Sequence, residues 1–394
     1  GPPTDENAHP HTDCRGDVAV VHNGIIENYD ELREELREAG HTFDSETDTE
    51  VIPHLLEDAL VGGDVETAFR EVTERLDGSF ALTMVHAGAE RVYATRQGSP
   101  LVLGVGDEGY YLASDVPAFL EFTEEVVYPE DGDVLTVSAD GYRIVGPGGD
   151  AVERRRRTVD WTAEDAEKQP YDHYMLKEIH EQPTAIDQAL QGRLADGRPA
   201  VELEELADVS FEDVTDVHFV ACGTSYHAAL YGVGLLDARG VPARASLASE
   251  FAVSPPETDR DTLIVGVTQS GETADTLAAL REAKAAGRRT LAVTNVVSST
   301  AARECDSRLY IRAGPEIGVA ATKTFSSQLT TLLLLAERLA ADRSGGRTMS
   351  HELRDPLEAL PEQVQRVLDT TDASRLAESY AGSDAYFFIG RDLA

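Results

Sequence analysis

Two strand-loop-helix units in direct succession between Val217 and Thr273 constrain this chain more than any other stretch. Val217–Cys222 is an apolar run closed by Gly223-Thr224-Ser225, and Thr262–Val267 is a second, closed by Thr268-Gln269-Ser270-Gly271-Glu272-Thr273. Apolar runs of this length bounded by glycine predict buried strands of a parallel sheet, and the periodic segments behind them predict helices over Tyr226–Ala238 and Ala274–Ala286. Each loop then lies at a helix N-terminus. There the free backbone N–H groups and the helix dipole favour an anion, and Thr and Ser hydroxyls donate without adding charge. Taken singly, either loop reads as an ordinary capped turn. Two of them on successive strands of one sheet point to a ligand at the carboxyl edge, and a small sugar phosphate fits. No Gly-Lys-Ser/Thr loop follows a strand and no Gly-x-Gly-x-x-Gly opens a helix, which argues against a nucleotide.

The 394 residues suffice for two or three domains, and 41% apolar residues place the chain in the globular class. Acidic residues outnumber basic ones 72 to 34, for a net charge of -38. Such an excess argues against nucleic acid and anionic membrane as partners. Its even spread resembles a whole-surface adaptation to high salt, where screening relieves self-repulsion. Cys14, Cys222 and Cys305 are too few and too scattered for a disulfide framework or a zinc site, so no metal is expected. A reducing, cytoplasmic setting follows, as no apolar run reaches the ~18 residues that span a bilayer and no secretory leader is present.

Ahead of the two units, Asp17–His22 predicts a buried strand ending in an Asn23-Gly24 turn, and helices are expected from Tyr29 to Gly40, after Glu50, and around Val65–Leu76. From Ser79 the period changes to two, predicting an antiparallel sheet through Val145 and an α+β domain closing near Gly149. The Arg154–Arg157 run reads as a solvated linker strand answering acidic surroundings. Leu332–Leu335 reads as a buried core helix, and Ala385–Gly390 as the opening strand of another α/β copy. The expected organisation is 1–149, a linker and helix over 150–208, an α/β domain over 209–349, and helices with a partial domain over 350–394.

Glu6–His11, Val21–Asn28 and Ser45–Ile52 resemble the glutaminase domain of glutamine:fructose-6-phosphate aminotransferases (isomerising). Tyr174–Pro183, Cys222–Ser225, Thr268–Thr276 and Glu316–Lys323 resemble the linker and first sugar-isomerase (SIS) domain of the same family. The resemblance implies an Ntn-type glutaminase domain, truncated from its αββα form, followed by an SIS domain with a parallel sheet. It implies glutamine and fructose 6-phosphate as substrates, glucosamine 6-phosphate and glutamate as products, internal transfer of ammonia, no cofactor, and a homodimer. Asn23 and the Gly24 N–H would form an oxyanion hole, a donor set worth about 3 kcal/mol per donor. Asp48 would hold the α-ammonium of glutamine by a charge-assisted bond. Thr224, Ser225, Thr268, Gln269, Ser270 and Thr273 match residues that cradle the sugar phosphate and neighbouring hydroxyls, and Val319 and Ala320 match backbone positions near the sugar. Thr268 stands where the family usually has Ser, and Ala321 replaces a common Ser.

The family's nucleophile is an N-terminal cysteine whose own amine acts as base. Gly1 matches a position inside the glutaminase domain, and Cys14 is internal with no free amine. The Lys, Glu and His of the isomerase chemistry belong to a second SIS domain. The chain is therefore expected to be a fragment, inactive alone. Two other readings are a purine-pathway amidotransferase, which would need an acidic diphosphate-binding strand end, and a non-catalytic SIS sugar-phosphate binder, against which the glutaminase-like half speaks.

Overall fold

The computed structural model describes residues 4–387 apart from 62, 160–167, 169, 195–200, 258, 298, 344–350 and 384. Two compact units divide the chain, residues 1–164 and 165–394.

The first unit opens with β1 (His11–Thr12) and β2 (Val18–Ile26), continues with helices α1 (Tyr29–Ala39), α2 (Val51–Ala59) and α3 (Val65–Thr73), and then becomes all strand. The strands are β3 (Gly78–His86), β4 (Val92–Gln97), β5 (Val102–Val105), β6 (Tyr110–Ala113), β7 (Glu125–Val127), β8 (Val134–Ser138), β9 (Gly141–Val145) and β10 (Arg156–Thr158). They form two antiparallel sheets where the alternation alone predicts one. The six-stranded sheet has the order β1-β2-β3-β4-β8-β9 and the four-stranded sheet β10-β7-β5-β6. Period-two alternation explains why both are needed, since each strand offers side chains to two faces. Phe80, Leu82 and Met84 of β3 join Leu36, Ile52, Leu55 and Phe69 of the three helices in one core. Ala81 of β3 and Ala94 of β4 join Leu103 and Val127 in a second core between the sheets. The described layers are thus helix, sheet, sheet.

Asn23 and Gly24 do not turn the chain. They lie within β2, paired with Ala81 and Phe80 of β3. The backbone preference of Asn-Gly is local, whereas nine consecutive β2–β3 pairs, from Val18 to Ile26, decide the outcome. Downstream, α1 ends at Gly40, whose φ of +104° suits glycine, and the His41 N–H returns to the Leu36 carbonyl. In the arginine run, Arg156 and Arg157 pair with Val127 and Val126, while Arg154 bonds buried Asp133 and pairs with Glu130. The run expected as a solvated linker strand is thus in part an edge strand of the four-stranded sheet, and its Arg154 answers acidic neighbours.

The second unit contains α4 (Tyr174–Leu190) and then β11 (Val217–Ala221), α5 (Gly223–Asp237), β12 (Ala243–Leu247), α6 (Ala248–Val253), β13 (Leu263–Val267), α7 (Ala274–Ala285), β14 (Arg289–Thr294), α8 (Thr300–Glu304) and β15 (Ser307–Tyr310). It closes with α9 (Lys323–Arg343), α10 (His351–Glu358), α11 (Leu360–Thr370) and α12 (Ala373–Tyr380). The five strands are parallel in the order β12-β11-β13-β14-β15. Val217, Phe219, Val265 and Val293 pack on one face against α4, α5 and the Leu332–Leu335 run of α9. Val220, Ile264 and Ala292 pack on the other against α6, α7 and Ala301. Burial on both faces is why these strands read as continuous apolar runs. No helix among the described residues is long and apolar enough to cross a membrane.

Two expectations change here. The helix predicted from Tyr226 starts at Gly223, because Cys222 is already the extended N-cap residue, so Thr224 and Ser225 lie in the first helical turn. Residues 385–387 form no strand, since a strand needs a neighbour to bond with and no described strand pairs there; 388–390 lie outside the described residues.

Candidate functional site

In the second unit the strand after β11 in sequence lies on one side of it, and β13 with β14 and β15 lies on the other. The connections therefore reverse direction between β11 and β13. In open parallel sheets this switch point leaves a crevice at the carboxyl ends of the strands, where ligands bind. Ala221 and Val267, the last residues of β11 and β13, are register partners, so the segments that follow them emerge side by side. The Cys222 thiol, 3.8 Å from Asp275 Oδ2, joins the N-cap of α5 to the first turn of α7. Burial and then the Asp275 charge push this thiol up, so it stays protonated as a donor.

The structure thus brings Thr224, Ser225, Thr268, Gln269, Ser270 and Thr273 to one edge. Thr224 is exposed in the first turn of α5, and Ser225 Oγ accepts a bond from Gln328 Nε2 of α9 at 3.0 Å. Thr268 Oγ1 lies 3.2 Å from Thr273 Oγ1 and accepts the Gly271 N–H at 3.2 Å. Ser270 Oγ accepts the Glu272 N–H at 3.1 Å, and Glu272 Oε1 accepts the Thr300 N–H at 2.7 Å. Gly271 has φ +69°, and a Cβ there would fall 2.2 Å from Ser299 Oγ, so glycine is required for this turn. The result is a loop folded on its own hydroxyls at the N-terminus of α7, with the N-terminus of α5 beginning at the neighbouring strand end.

Val319 and Ala320 are exposed on the segment between β15 and α9. That segment is pinned from both ends. Glu178 Oε1 of α4 accepts the Ile317 and Gly318 N–H groups at 2.6 and 2.9 Å. Glu316 Oε1 accepts the Thr322 and Thr324 N–H groups at 2.9 and 3.2 Å. Buried Lys323 pairs with Glu181 at 2.7 Å. Glu178, Glu316 and Gln328 escaped the sequence reading of the site, although Glu178 and Glu316 fall inside motifs that resemble the family.

In the first unit, Asp48 Oδ2 accepts the Ile26 N–H at 2.7 Å, which fastens Asp48 to β2 beside Asn23 and Gly24. Asn23 and Gly24 are exposed. Gly24 has φ +125°, and a Cβ would meet Ser79 O at 2.0 Å, so only glycine lets β2 pass β3 there. The loop before α2 is held by Glu50, which accepts from the Asp44 and Ser45 N–H groups at 2.7 and 2.8 Å and from Ser45 Oγ at 2.6 Å. Burial would raise the Glu50 carboxyl, but these bonds and nearby His54 hold it below the usual range. Arg33 Nη2 donates to the Thr47 carbonyl at 2.6 Å, and Asn7 Oδ1 accepts the Glu46 N–H at 2.9 Å. His22 bonds Thr49 Oγ1 at 2.8 Å, and burial pushes it down to about 4 against the pull of Asp48. A neutral imidazole therefore lies behind the exposed Asn23.

A glutamine amidotransferase domain model matches residues 3–121, and an SIS domain model matches residues 211–338. A glutamine–fructose-6-phosphate aminotransferase (isomerizing) of Halobacterium salinarum is 50% identical over 99% of this chain and 66% of its own length. One of Methanothermobacter thermautotrophicus is 46% identical over all of this chain and 64% of its own length. The solved C-terminal domain of a glucosamine-fructose-6-phosphate aminotransferase from Francisella tularensis superposes with a TM-score of 0.50 at 31% identity, covering 58% of this chain and 65% of that one. The fold and its two loops accordingly define a protein in which an amidotransferase-type domain is joined to an SIS domain. The chain belongs to the glutamine–fructose-6-phosphate aminotransferase family and spans just under two thirds of the length of these two full-length relatives.

Proposed function

We propose that this chain carries the glutamine-binding and sugar-phosphate-binding parts of an enzyme that converts fructose 6-phosphate and glutamine into glucosamine 6-phosphate and glutamate. One observation carries the reading: the segments that open α5 and α7 leave β11 and β13 side by side at the switch point, where the Cys222 thiol lies 3.8 Å from Asp275 Oδ2. In this reading Thr224, Ser225, Thr268, Gln269, Ser270 and Thr273 hold the phosphate and adjacent hydroxyls, with Val319 and Ala320 contributing backbone groups near the sugar. Asn23 and the Gly24 N–H stabilise the oxyanion formed as the amide of glutamine is attacked, and the free oxygen of Asp48 takes the α-ammonium. Hydroxyls and helix dipoles suit a phosphate site in a chain of net charge -38, because they attract the ligand without a lysine that would pair with neighbouring acids. The division into 1–149, 150–208, 209–349 and 350–394, a homodimer, and a cytoplasmic setting belong to the same proposal.

Calorimetry with glucosamine 6-phosphate tests it. A Ser270→Ala, Thr273→Ala double variant loses two bonds of about 1 kcal/mol each, a weakening of about tenfold or more. Unchanged affinity would remove the assignment. A non-catalytic sugar-phosphate binder is the second reading, favoured by a chain that binds the sugar phosphate and no glutamine.

A further inference from the structure

Four donor atoms converge near the loop that carries Asp48, and the proposed function uses none of them. Cys14 lies between β1 and β2, His41 follows the end of α1, and His54 and Glu57 stand one turn apart on α2. The Cys14, His41, His54 and Glu57 donors lie within 4.8 Å of one another. Cys14 Sγ is 3.5 Å from His41 Nδ1 and 3.5 Å from His54 Nδ1. The two Nδ1 atoms are 3.3 Å apart, and Glu57 Oε2 is 3.4 Å from His41 Nδ1 and 3.9 Å from His54 Nδ1. A tetrahedral zinc ion with Zn–N of about 2.0–2.1 Å and Zn–S of about 2.3 Å places neighbouring nitrogens about 3.3 Å apart and sulfur about 3.5 Å from nitrogen. All of these separations fit that figure except the last, from Glu57 to His54, which is about half an ångström long.

The surroundings orient the donors. His41 Nε2 lies 3.1 Å from Asp58 Oδ1, which fixes the proton on Nε2 and turns the Nδ1 lone pair inward, as second-shell carboxylates do for metal-bound histidines. Arg15 Nε takes Glu57 Oε1 at 3.1 Å, and Glu57 Oε2, which accepts the Cys14 backbone N–H at 3.1 Å, keeps a second lone pair toward the centre. His54 is buried and packs edge-on against Phe43, with ring centroids 4.6 Å apart. A cleft of about 790 Å³, lined in part by Cys14, Arg15 and His54, supplies the way in.

We infer that Cys14, His41, His54 and Glu57 bind one divalent metal ion, Zn²⁺ by its donor set and tetrahedral geometry. On binding, the Cys14 thiol releases its proton to solvent and the thiolate sulfur forms the metal bond, while the imidazoles bind neutral and Glu57 as carboxylate. Two negative ligands then balance the 2+ ion. With four protein donors the site is of the structural kind, and it clamps the β1–β2 turn, the end of α1 and the middle of α2 around the 44–50 loop. The spacing in sequence showed no sign of it, since only one donor is a cysteine and the four come from three separate stretches. The inference does not depend on the substrate of the proposed function.

The test is a titration of the chelator-treated full chain with Co²⁺ alone, then displacement by Zn²⁺. The expected result is one Co²⁺ per chain, with tetrahedral ligand-field bands and a thiolate charge-transfer band, all lost as Zn²⁺ is added. Cys14→Ser removes the charge-transfer band and weakens binding at least about tenfold, while Asp58→Asn keeps the band and weakens binding about 10–100-fold. Cys222→Ser and Cys305→Ser leave the Co²⁺ stoichiometry and the charge-transfer band unchanged, and matching circular dichroism of the metal-free proteins shows that each variant is folded. His41→Ala provides a second ligand variant if Cys14→Ser fails that check. Binding well below one ion per chain, a charge-transfer band that survives in folded Cys14→Ser, or one that disappears in Cys222→Ser would overturn the inference.

Discussion

Gln328 of α9 donates its side-chain amide to the Ser225 hydroxyl across 3.0 Å, so a residue more than a hundred positions downstream sets the orientation of a group in the first turn of α5. Ser225 is nearly buried, and its hydroxyl would otherwise be free to rotate away from the switch-point crevice. Gln328→Met keeps the bulk and removes the donor. It is expected to weaken glucosamine 6-phosphate binding by about 1 kcal/mol, near fivefold, in a calorimetric titration.

Asp48 offers a cleaner separation of structure from ligand. Asp48→Asn still presents an oxygen to the Ile26 N–H, so thermal unfolding should remain within about 0.5 kcal/mol of the parent. Losing the charge removes a bond to an ammonium group worth about 1.5–3 kcal/mol, and glutamine affinity should fall about tenfold or more. Equal glutamine affinity in the two proteins would separate Asp48 from the ligand.

Gly24→Ala tests the close passage of β2 over β3. The new Cβ would lie 2.0 Å from Ser79 O at a backbone φ of +125°. The strain should cost about 2 kcal/mol or more and lower the melting temperature of the first unit by about 4 °C or more, read in a thermal scan.

The pH prediction concerns His218, which is buried on β11, bonds Ser246 Oγ at 2.8 Å and packs edge-on against Phe251. Burial, followed by Arg244, pushes it from the ordinary 6.5 down to about 4. Between these values the unfolded chain binds a proton that the folded chain refuses, so stability falls as pH drops from about 6.5 to about 4 and is flat in this group above 6.5. The loss is up to about 3 kcal/mol at the acid end of that window. His218→Gln should flatten this part of the stability curve in urea unfolding at constant salt, and an unchanged slope would contradict the assignment.

The sequence disclosed most of the second unit because its signals are local: buried parallel strands are apolar throughout, and their helices repeat with a helical period. That Thr268, Ser270 and Thr273 share one loop at the carboxyl end of β13 was legible because they follow directly on that strand. Gln328 and Glu178 were not, because their roles depend on α9 and α4 folding back onto the sheet, which no local pattern encodes. Asn23-Gly24 misled for the complementary reason. The dipeptide favours a turn in isolation, yet pairing with Ala81 and Phe80 overrides it, and the glycine serves close approach instead of reversal. Division of the strands after Ser79 into two sheets was hidden as well, since alternation shows that a strand has two faces and not which partner covers each.

The reversal of strand order around β11 also has a kinetic side. The segments after β11 and β13 are neighbours in the sheet although β12 and its flanking helices separate them in sequence, so they meet only when β13 is in place beside β11. During synthesis the α5 side of the proposed site emerges well before the α7 side, so under the proposed function a sugar phosphate would meet both halves only after β13 has joined the sheet. Ligand capture by a growing chain would thus time the completion of this sheet.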